Sequence, residues 1–219
     1  MTATSVRNDT KTAILDAAEK LMAEHGVNGV SLRAILKEAN ANTAALHYHF
    51  GSREQVIEAI VARRGIRNSE RRRAIVEKLL AGRQAASVHD VVDAMIDPIE
   101  QMLVEDGEAG RRFLRFMARL HSDRTGIHLQ LQEREFSDVS AGIVQMLEQA
   151  CPRVPRPVLV RRIMMAMDTM LQSLANSDVM CQEWCEEASG KGLTTAIEVL
   201  KDFLAGGLSA RVRANRTSS

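Results

Sequence analysis

The chain has 219 residues, of which 45% are hydrophobic and 26% are charged, a balance that supports a packed core and argues against a disordered chain. Aromatic residues make up only 3%, and no apolar stretch approaches the ~20 residues that a membrane-spanning helix requires. The three cysteines suggest no disulfide framework and the amino-terminal residues include no apolar signal segment, so we expect a cytoplasmic protein.

Charge is distributed unevenly along the chain, although the formal net charge is only +1. Residues 1–83 contain 14 Lys/Arg and 9 Asp/Glu, whereas the remainder contains 15 and 19. A basic amino-terminal part followed by an acidic remainder suits a DNA-facing module joined to a second domain.

The first predicted helix follows a polar stretch, residues 1–9, that we expect to be a mobile arm. Asp9 or Thr10 can cap this helix. Its apolar residues recur with the spacing of one buried helix face: Ile14, Ala17, Ala18, Leu21 and Met22. Gly26 ends the helix, because glycine readily adopts the left-handed conformation that commonly follows a helix.

Two shorter helices follow, separated by only a few residues. Ser31 can cap the second helix. Asn40 then tolerates the left-handed conformation that a tight turn after a helix requires. Asn42 can cap a third helix that ends near Phe50, with Leu46 four residues earlier on the same buried side.

A fourth, longer helix begins at a capping-box sequence, with Ser52 at the cap and Gln55 three residues later. It continues to about residue 81 through the basic run Arg63–Arg73, which we interpret as a solvated or salt-bridged helix face. Pro98 is expected to kink the helix after that. Further helices are predicted near residues 87–106, 108–122, 125–151, 155–180 and 190–208, so the sequence predicts an all-α protein.

The second and third helices have the layout of a helix-turn-helix. The second helix of such a motif enters a major groove about 12 Å wide, so it is short and carries small side chains near its start. Thr43, Ala44 and Ala45 meet this requirement, and the capped helix starts direct N–H groups at phosphates. The sequence therefore predicts a helix-turn-helix DNA-binding domain over residues 10–57.

This region resembles the DNA-binding domain of the tetracycline-repressor (TetR) family of transcriptional regulators. The resemblance rests on Gly26–Ile35 and Glu38–Glu54, and it covers residues 10–60. It implies an all-α fold in which an N-terminal three-helix helix-turn-helix domain precedes a larger helical ligand-binding and dimerisation domain. We expect that larger domain over residues 58–210, followed by a mobile tail over residues 211–219.

The resemblance assigns DNA contacts to nine residues of this sequence. Phosphate contacts are implied for Ser31, Asn42, His47 and Arg53. Contacts with base edges are implied for Arg33, Thr43, Ala44, Ala45 and Tyr48. The sequence departs from the family pattern at three places: Asn40-Ala41 replaces the usual Gly-Val, His47 replaces a phosphate-binding Tyr, and Arg53 replaces a Lys. The contact made by His47 is therefore expected to be weaker or pH-sensitive.

Metal-binding and catalytic alternatives have little support. His47 and His49 are two residues apart on a helix and point about 200° apart, so they cannot chelate one ion, and we expect no metal and no cofactor. His49 is expected to pack behind the recognition surface. We find no phosphate-binding loop, glycine-rich dinucleotide loop or nucleophile elbow, so we expect no enzyme. Cys181 and Cys185 flank Trp184; a thiol switch remains open beside the favoured interpretation as buried structural cysteines.

The carboxy-terminal part is rich in methionine, a flexible and polarizable side chain that suits irregular apolar pockets. The resemblance implies a small-molecule effector, and the methionines favour an apolar one. Most of these side chains are expected simply to fill the core. The candidates for the ligand pocket are Met95, Met102, Phe113, Phe116 and Met117.

Two carboxy-terminal helices are candidates for a homodimer interface across a two-fold axis. Their apolar stripes consist of Leu159, Ile163, Met167, Met170 and Leu174 in one helix and Leu193, Ile197, Leu200 and Leu204 in the other. A core within one chain would give the same pattern, but helix-turn-helix modules usually read paired half-sites, which requires a dimer. We therefore expect a homodimeric repressor that a small molecule releases from a pseudo-palindromic double-stranded DNA operator. An activator, or a helical interaction protein that no longer reads DNA, is the alternative.

Overall fold

A computed structural model describes residues 3–123, 126–177 and 192–212, and within these ranges every regular element is an α-helix. The helices are α1 (Ala3–His25), α2 (Leu32–Glu38), α3 (Thr43–His49), α4 (Arg53–Leu80), α5 (Val88–Asp123), α6 (Gly126–Ala150), α7 (Arg156–Ala175) and α8 (Gly192–Ser209). The predicted all-α fold is confirmed. None of the helices in the described ranges is both long and apolar enough to span a bilayer.

Several predicted helix ends are wrong by a few residues. Helix α1 begins at Ala3, so the caps predicted at Asp9 or Thr10 lie inside the helix; residues 3–9 contain neither Gly nor Pro to interrupt it. Helix α7 ends at Ala175 instead of residue 180, where the backbone N–H of Asn176 donates to the carbonyls of the last turn. The predictions for Cys181, Trp184 and Cys185 concern residues outside the described ranges.

The chain divides into two compact units. Unit 1 comprises residues 1–70 and 101–137, and unit 2 comprises residues 71–100 and 138–219. Helices α4, α5 and α6 each contribute residues to both units. The helix-turn-helix thus shares a compact unit with part of α5, a segment far from it in sequence.

The core of the amino-terminal part of unit 1 forms where the apolar spacing predicted it. Ile14 and Met22 of α1 are fully buried, as are Ile35 of α2 and Ile60 of α4, and Leu46 of α3 is 1% exposed. Helix α1 packs against α2 and α3, and α2 packs against α3. These contacts bury one side of α3 and leave its other side exposed.

Helix α5 contains a break at the position that the sequence predicted. Gly107 has φ 53° and ψ −127°, a non-helical conformation that glycine adopts without the steric cost other residues pay, and it separates the helices predicted to end at 106 and begin at 108. Pro98 lies inside the helix, and the non-helical backbone angles occur at Gly107 and not at Pro98.

Arg72 explains how α5 accommodates Pro98. Proline has no N–H, so the carbonyl of Ala94, four residues earlier, loses its helical donor. The Nε atom of Arg72 donates to this carbonyl at 3.1 Å, and its Nη2 atom donates to the carbonyl of Met95 at 3.0 Å. Arg72 is only 9% exposed, and burial lowers its pKa to about 10. The guanidinium therefore replaces the missing donor despite the desolvation of its charge.

We predict that the stability contribution of Arg72 depends on Pro98. Arg72→Met should lower the free energy of unfolding by about 1–3 kcal/mol, because two buried carbonyls lose a donor. The penalty should be smaller in a Pro98→Ala background, where the restored N–H can bond Ala94. Urea denaturation of the four proteins measures this coupling. Arg73→Met, at an exposed position beside Arg72, is the control; an equal penalty in both backgrounds would contradict the assignment.

Candidate nucleic-acid interface

Side-chain caps begin both helices of the helix-turn-helix. The Oγ atom of Ser31 accepts a hydrogen bond from the N–H of Ala34 at 3.1 Å, and the Oδ1 atom of Asn42 accepts one from the N–H of Ala45 at 2.8 Å. Both caps were predicted, and both are confirmed. They fix the starts of α2 and α3, where the first N–H groups of a helix attract phosphate oxygens.

The turn between α2 and α3 is built around Asn40. Its φ is 48°, so it adopts the left-handed conformation predicted for it. The N–H of Ala41 donates to the carbonyl of Leu36 at 2.9 Å, and the N–H of Asn40 donates to that of Lys37 at 3.3 Å. This pair of bonds forms a Schellman motif, which usually has glycine at the left-handed position. Asn40 is therefore an adequate substitute for glycine.

One face of α3 is exposed and the opposite face is buried. Thr43, Ala44, His47 and Tyr48 are exposed, and Tyr48 exposes 69% of its surface. Ala45 is half-buried. Leu46 and Phe50, the two predicted anchors, are 1% and 6% exposed. The exposed face thus contains four of the five predicted contact residues of α3, and a fifth lies at its edge.

His49 lies behind this face, as the sequence predicted. It is half-buried, its ring meets that of Tyr48 edge-on at 5.0 Å between centroids, and the Phe50 ring lies 6.1 Å away. The His49 ring therefore packs between the rings of its two aromatic neighbours. His49 is therefore a packing residue of α3 and lies beside, not on, the exposed face.

The remaining predicted DNA contacts lie on α2 and α4. Arg33 is exposed on the first turn of α2, while Arg53 at the start of α4 is half-buried. The Nη2 atom of Arg53 is buried without a hydrogen-bond partner in the described part of the chain. The predicted capping box holds α4 in place: Ser52 Oγ accepts from the Gln55 N–H at 3.3 Å, and Gln55 Oε1 accepts from the Ser52 N–H at 3.1 Å.

The five candidates for the ligand pocket are mostly core residues. Met95 belongs to unit 2, and Met102, Phe113, Phe116 and Met117 belong to unit 1. The first four expose 3% of their surface or less, and Met117 is half-buried. The rings of Phe113 and Phe116 are 6.2 Å apart. Their assignment to a ligand pocket stays a prediction.

The apolar stripes predicted to form the dimer interface lie largely inside the protomer. Ile163, Met167 and Leu193 are half-buried. The other six residues expose 8% or less: Leu159, Met170, Leu174, Ile197, Leu200 and Leu204. Helices α7 and α8 pack on each other within unit 2, and these six side chains belong to its core. Their burial fits the core alternative that the pattern left open, and their assignment to a dimer interface stays a prediction.

A different set of apolar residues on α7 and α8 faces solvent, and sequence reasoning missed it. These residues expose between 36% and 67% of their surface: Val160, Met164, Met165, Val199 and Phe203. In each helix two of them are four residues apart and one position away from the stripe, Val160 and Met164 in α7 and Val199 and Phe203 in α8, and Met165 directly follows Met164. A second apolar register beside the first was the signal that could have identified them.

Two family models match the chain. The model described as "Bacterial regulatory proteins, tetR family" matches residues 14–60, which contain α2, α3 and their caps. The model described as "Tetracyclin repressor-like, C-terminal domain" matches residues 93–207, more than half of the chain.

Individual proteins of similar sequence or structure point to the same family as the two models. The HTH-type transcriptional regulator UidR of Escherichia coli K12 is 31% identical over 96 residues, and the match spans 44% of this chain and 44% of UidR. Among solved structures, the TetR family regulator PfmR from Thermus thermophilus has a TM-score of 0.55, and Salmonella enterica GusR has one of 0.51. Each is 18% identical, covering 92% of this chain and 96% of the other, so they support the fold alone. With both family models matched in order, the chain belongs to the TetR family of bacterial transcriptional regulators.

Proposed function

We propose that the protein is a homodimeric repressor that binds a pseudo-palindromic DNA operator and leaves it when a small apolar molecule binds its carboxy-terminal domain. The family supports DNA binding and transcriptional regulation in general. The operator, the effector and the direction of regulation are the parts that we add. The functional division of the chain near residue 57, with DNA binding before it, belongs to the same proposal.

The single observation that carries this proposal is the exposed face of α3. Thr43 and Ala44 present small side chains at the start of the helix, where it can approach base edges closely, and Tyr48 extends from its last turn. Ser31 and Asn42 present capped helix starts to the backbone phosphates. We assign phosphate contacts to Ser31, Asn42, His47 and Arg53, and base contacts to Arg33, Thr43, Ala44, Ala45 and Tyr48.

A dimer is supported by the exposed apolar residues of α7 and α8. Large apolar side chains on one surface are unusual unless a partner covers them. A symmetric pair of these helices from two protomers would form a four-helix interface. We therefore propose Met164, Met165 and Phe203 as its centre, with Val160 and Val199 beside them.

An effector with one hydrogen-bond donor on an apolar body is supported by Asn68. This residue is 7% exposed, and its Nδ2 atom donates to the Sδ atom of Met102 at 3.0 Å. Its Oδ1 atom is buried without a hydrogen-bond partner in the described residues. A ligand near Met102 could satisfy that acceptor, since a buried carbonyl oxygen without a donor is costly.

Selection from random duplexes tests the DNA-binding proposal. The protein should enrich a sequence with two-fold symmetry, and the measured affinity should fall steeply between 50 and 200 mM salt, as expected when phosphate contacts release counterions. Recovery of no enriched sequence, or an affinity that does not change with salt, would exclude this function.

Substitutions at Asn42 should separate folding from DNA binding. Asn42→Asp keeps an acceptor that caps α3, so its stability should stay within about 0.5 kcal/mol of the wild type. Its charge would repel phosphate, so operator affinity should fall by about tenfold or more. Asn42→Ser, a neutral cap, should retain both properties. Denaturation and fluorescence anisotropy measure the two effects, and wild-type affinity for Asn42→Asp would contradict the phosphate contact.

Substitution of Phe203 tests the dimer. Phe203→Glu should shift the protein from dimer to monomer, because the interface would bury a carboxylate without a partner. Val104→Glu is a matched control, since Val104 on α5 is 79% exposed and lies outside α7 and α8. Sedimentation velocity measures the change. The interface assignment is wrong if both variants remain dimeric or if both dissociate.

A further inference from the structure

The carboxy-terminal part of α5 is hydrogen-bonded to α1, to α4 and to the turn that precedes α2. Residues 101–137 belong to the same compact unit as the helix-turn-helix. The matched DNA-binding model ends at residue 60, and residues 106–123 fall within the carboxy-terminal model. Residues 106–123 thus match the family's carboxy-terminal domain but belong to unit 1 of the structure. Three contacts, each made by a carboxylate, join them to the rest of that unit.

The first contact is made by Glu19, a carboxylate of α1 with no exposed surface. Arg112 of α5 donates to it through Nε at 3.2 Å. Arg63 and Arg64 of α4 donate to its other oxygen at 2.5 and 3.1 Å. A buried carboxylate is stable only when it is paired, so Glu19 requires guanidinium groups beside it. Arg112 therefore fixes α5 to α1.

The second contact is made by Asp106, immediately before the break in α5. Its Oδ2 atom accepts from Arg64 Nε at 3.1 Å and from Arg67 Nη2 at 2.6 Å. On a continuous helix, Asp106 and Arg112 would lie about 120° apart around the helix axis and would not face one neighbour. The non-helical conformation of Gly107 removes this restriction: Asp106 bonds Arg64, and Arg112 bonds Glu19, to which Arg64 also donates.

The third contact is made by Asp123, the last residue of α5. Its Oδ2 atom accepts hydrogen bonds from the backbone N–H groups of Val27 at 3.1 Å and Asn28 at 3.4 Å. These N–H groups follow Gly26, whose φ of 78° turns the chain out of α1. The turn leads directly to Ser31, the cap of α2. A charged acceptor for two adjacent N–H groups fixes the turn more strongly than a neutral acceptor would.

We propose that Asp123 and Arg112 are positioning residues of the DNA-binding site. Asp123 holds the turn before α2, and Arg112 holds α1, so that α2 and α3 keep the spacing that DNA recognition needs. This inference rests on the proposed DNA-binding function. It also means that a displacement of residues 108–123 would be passed to the start of α2 through Asp123.

Asp123→Ala, made in the full-length protein, tests the proposal. Affinity for the selected operator should fall by about tenfold, corresponding to about 1.4 kcal/mol, while affinity for a scrambled duplex should stay within about twofold. Hydrogen–deuterium exchange should accelerate in residues 26–36 and stay unchanged in α7. Asp123→Asn, which keeps one acceptor without the charge, should give an intermediate result.

Two further variants keep the test decisive. Asp138→Ala removes an exposed carboxylate of α6 and should behave as the wild type. Arg112→Met removes the contact of α5 with Glu19 while Arg63 and Arg64 still pair with that carboxylate, and it serves if Asp123→Ala does not fold. Unchanged exchange in residues 26–36, or acceleration throughout the protein, would overturn the proposal. If the wild type selects no duplex, the proposed function fails, whereas the exchange result still decides whether Asp123 holds the turn.

Discussion

The structure depends on how a seven-residue helix is held in place. An isolated helix as short as α3 is unstable in water, because nucleation costs more than so few hydrogen bonds return. Leu46 and Phe50 supply the missing stability by entering the core formed with α1, and Asn42 fixes the first turn. Because these contacts use only one side of the helix, the other side can carry residues chosen for DNA. The same constraint explains why both flanking turns contain residues with positive φ, Asn40 and Gly51.

The basic residues of the amino-terminal part have two roles, internal ion pairing and proposed DNA contact. The basic run on α4 does not add to the DNA-binding face, because Arg63, Arg64 and Arg67 pair with Glu19, Asp16 and Asp106. Arg33, the cationic side chain predicted to contact bases, lies on the exposed side of α2. The excess positive charge of residues 1–83 therefore overstates the charge that DNA would meet. The paired arginines instead join α4 to α1 and α5 inside unit 1.

Local patterns predicted local structure well. The caps at Ser31 and Asn42, the left-handed Asn40 and the break between residues 106 and 108 could all be read from the sequence, because each depends on a few neighbouring residues. The start of α1 was missed because no residue marks it. Helical periodicity located the apolar stripes of α7 and α8, but periodicity cannot distinguish burial in a protomer from burial against a partner.

Contacts between residues that are far apart in the chain could not be predicted from the sequence. Asp123 is separated from Val27 by 96 positions, and an aspartate at a helix end carries no local sign of such a partner. Arg72 supports the carbonyls near Pro98 across 22 and 23 positions, so the expected kink could not be judged from proline alone. Such pairs appear only once helices are packed; here Asp123 bonds the turn before α2, and Arg72 supports α5 near Pro98.

We propose that the exposed face of α3 enters the major groove from each half of a dimer. Dimethyl sulfate protection of guanine N7 on the selected duplex tests it most directly, since this atom lies in the major groove. We expect two protected patches related by two-fold symmetry, with centres about 34 Å or a multiple of that distance apart. Protection confined to a single patch, or none at all in the major groove, would contradict it.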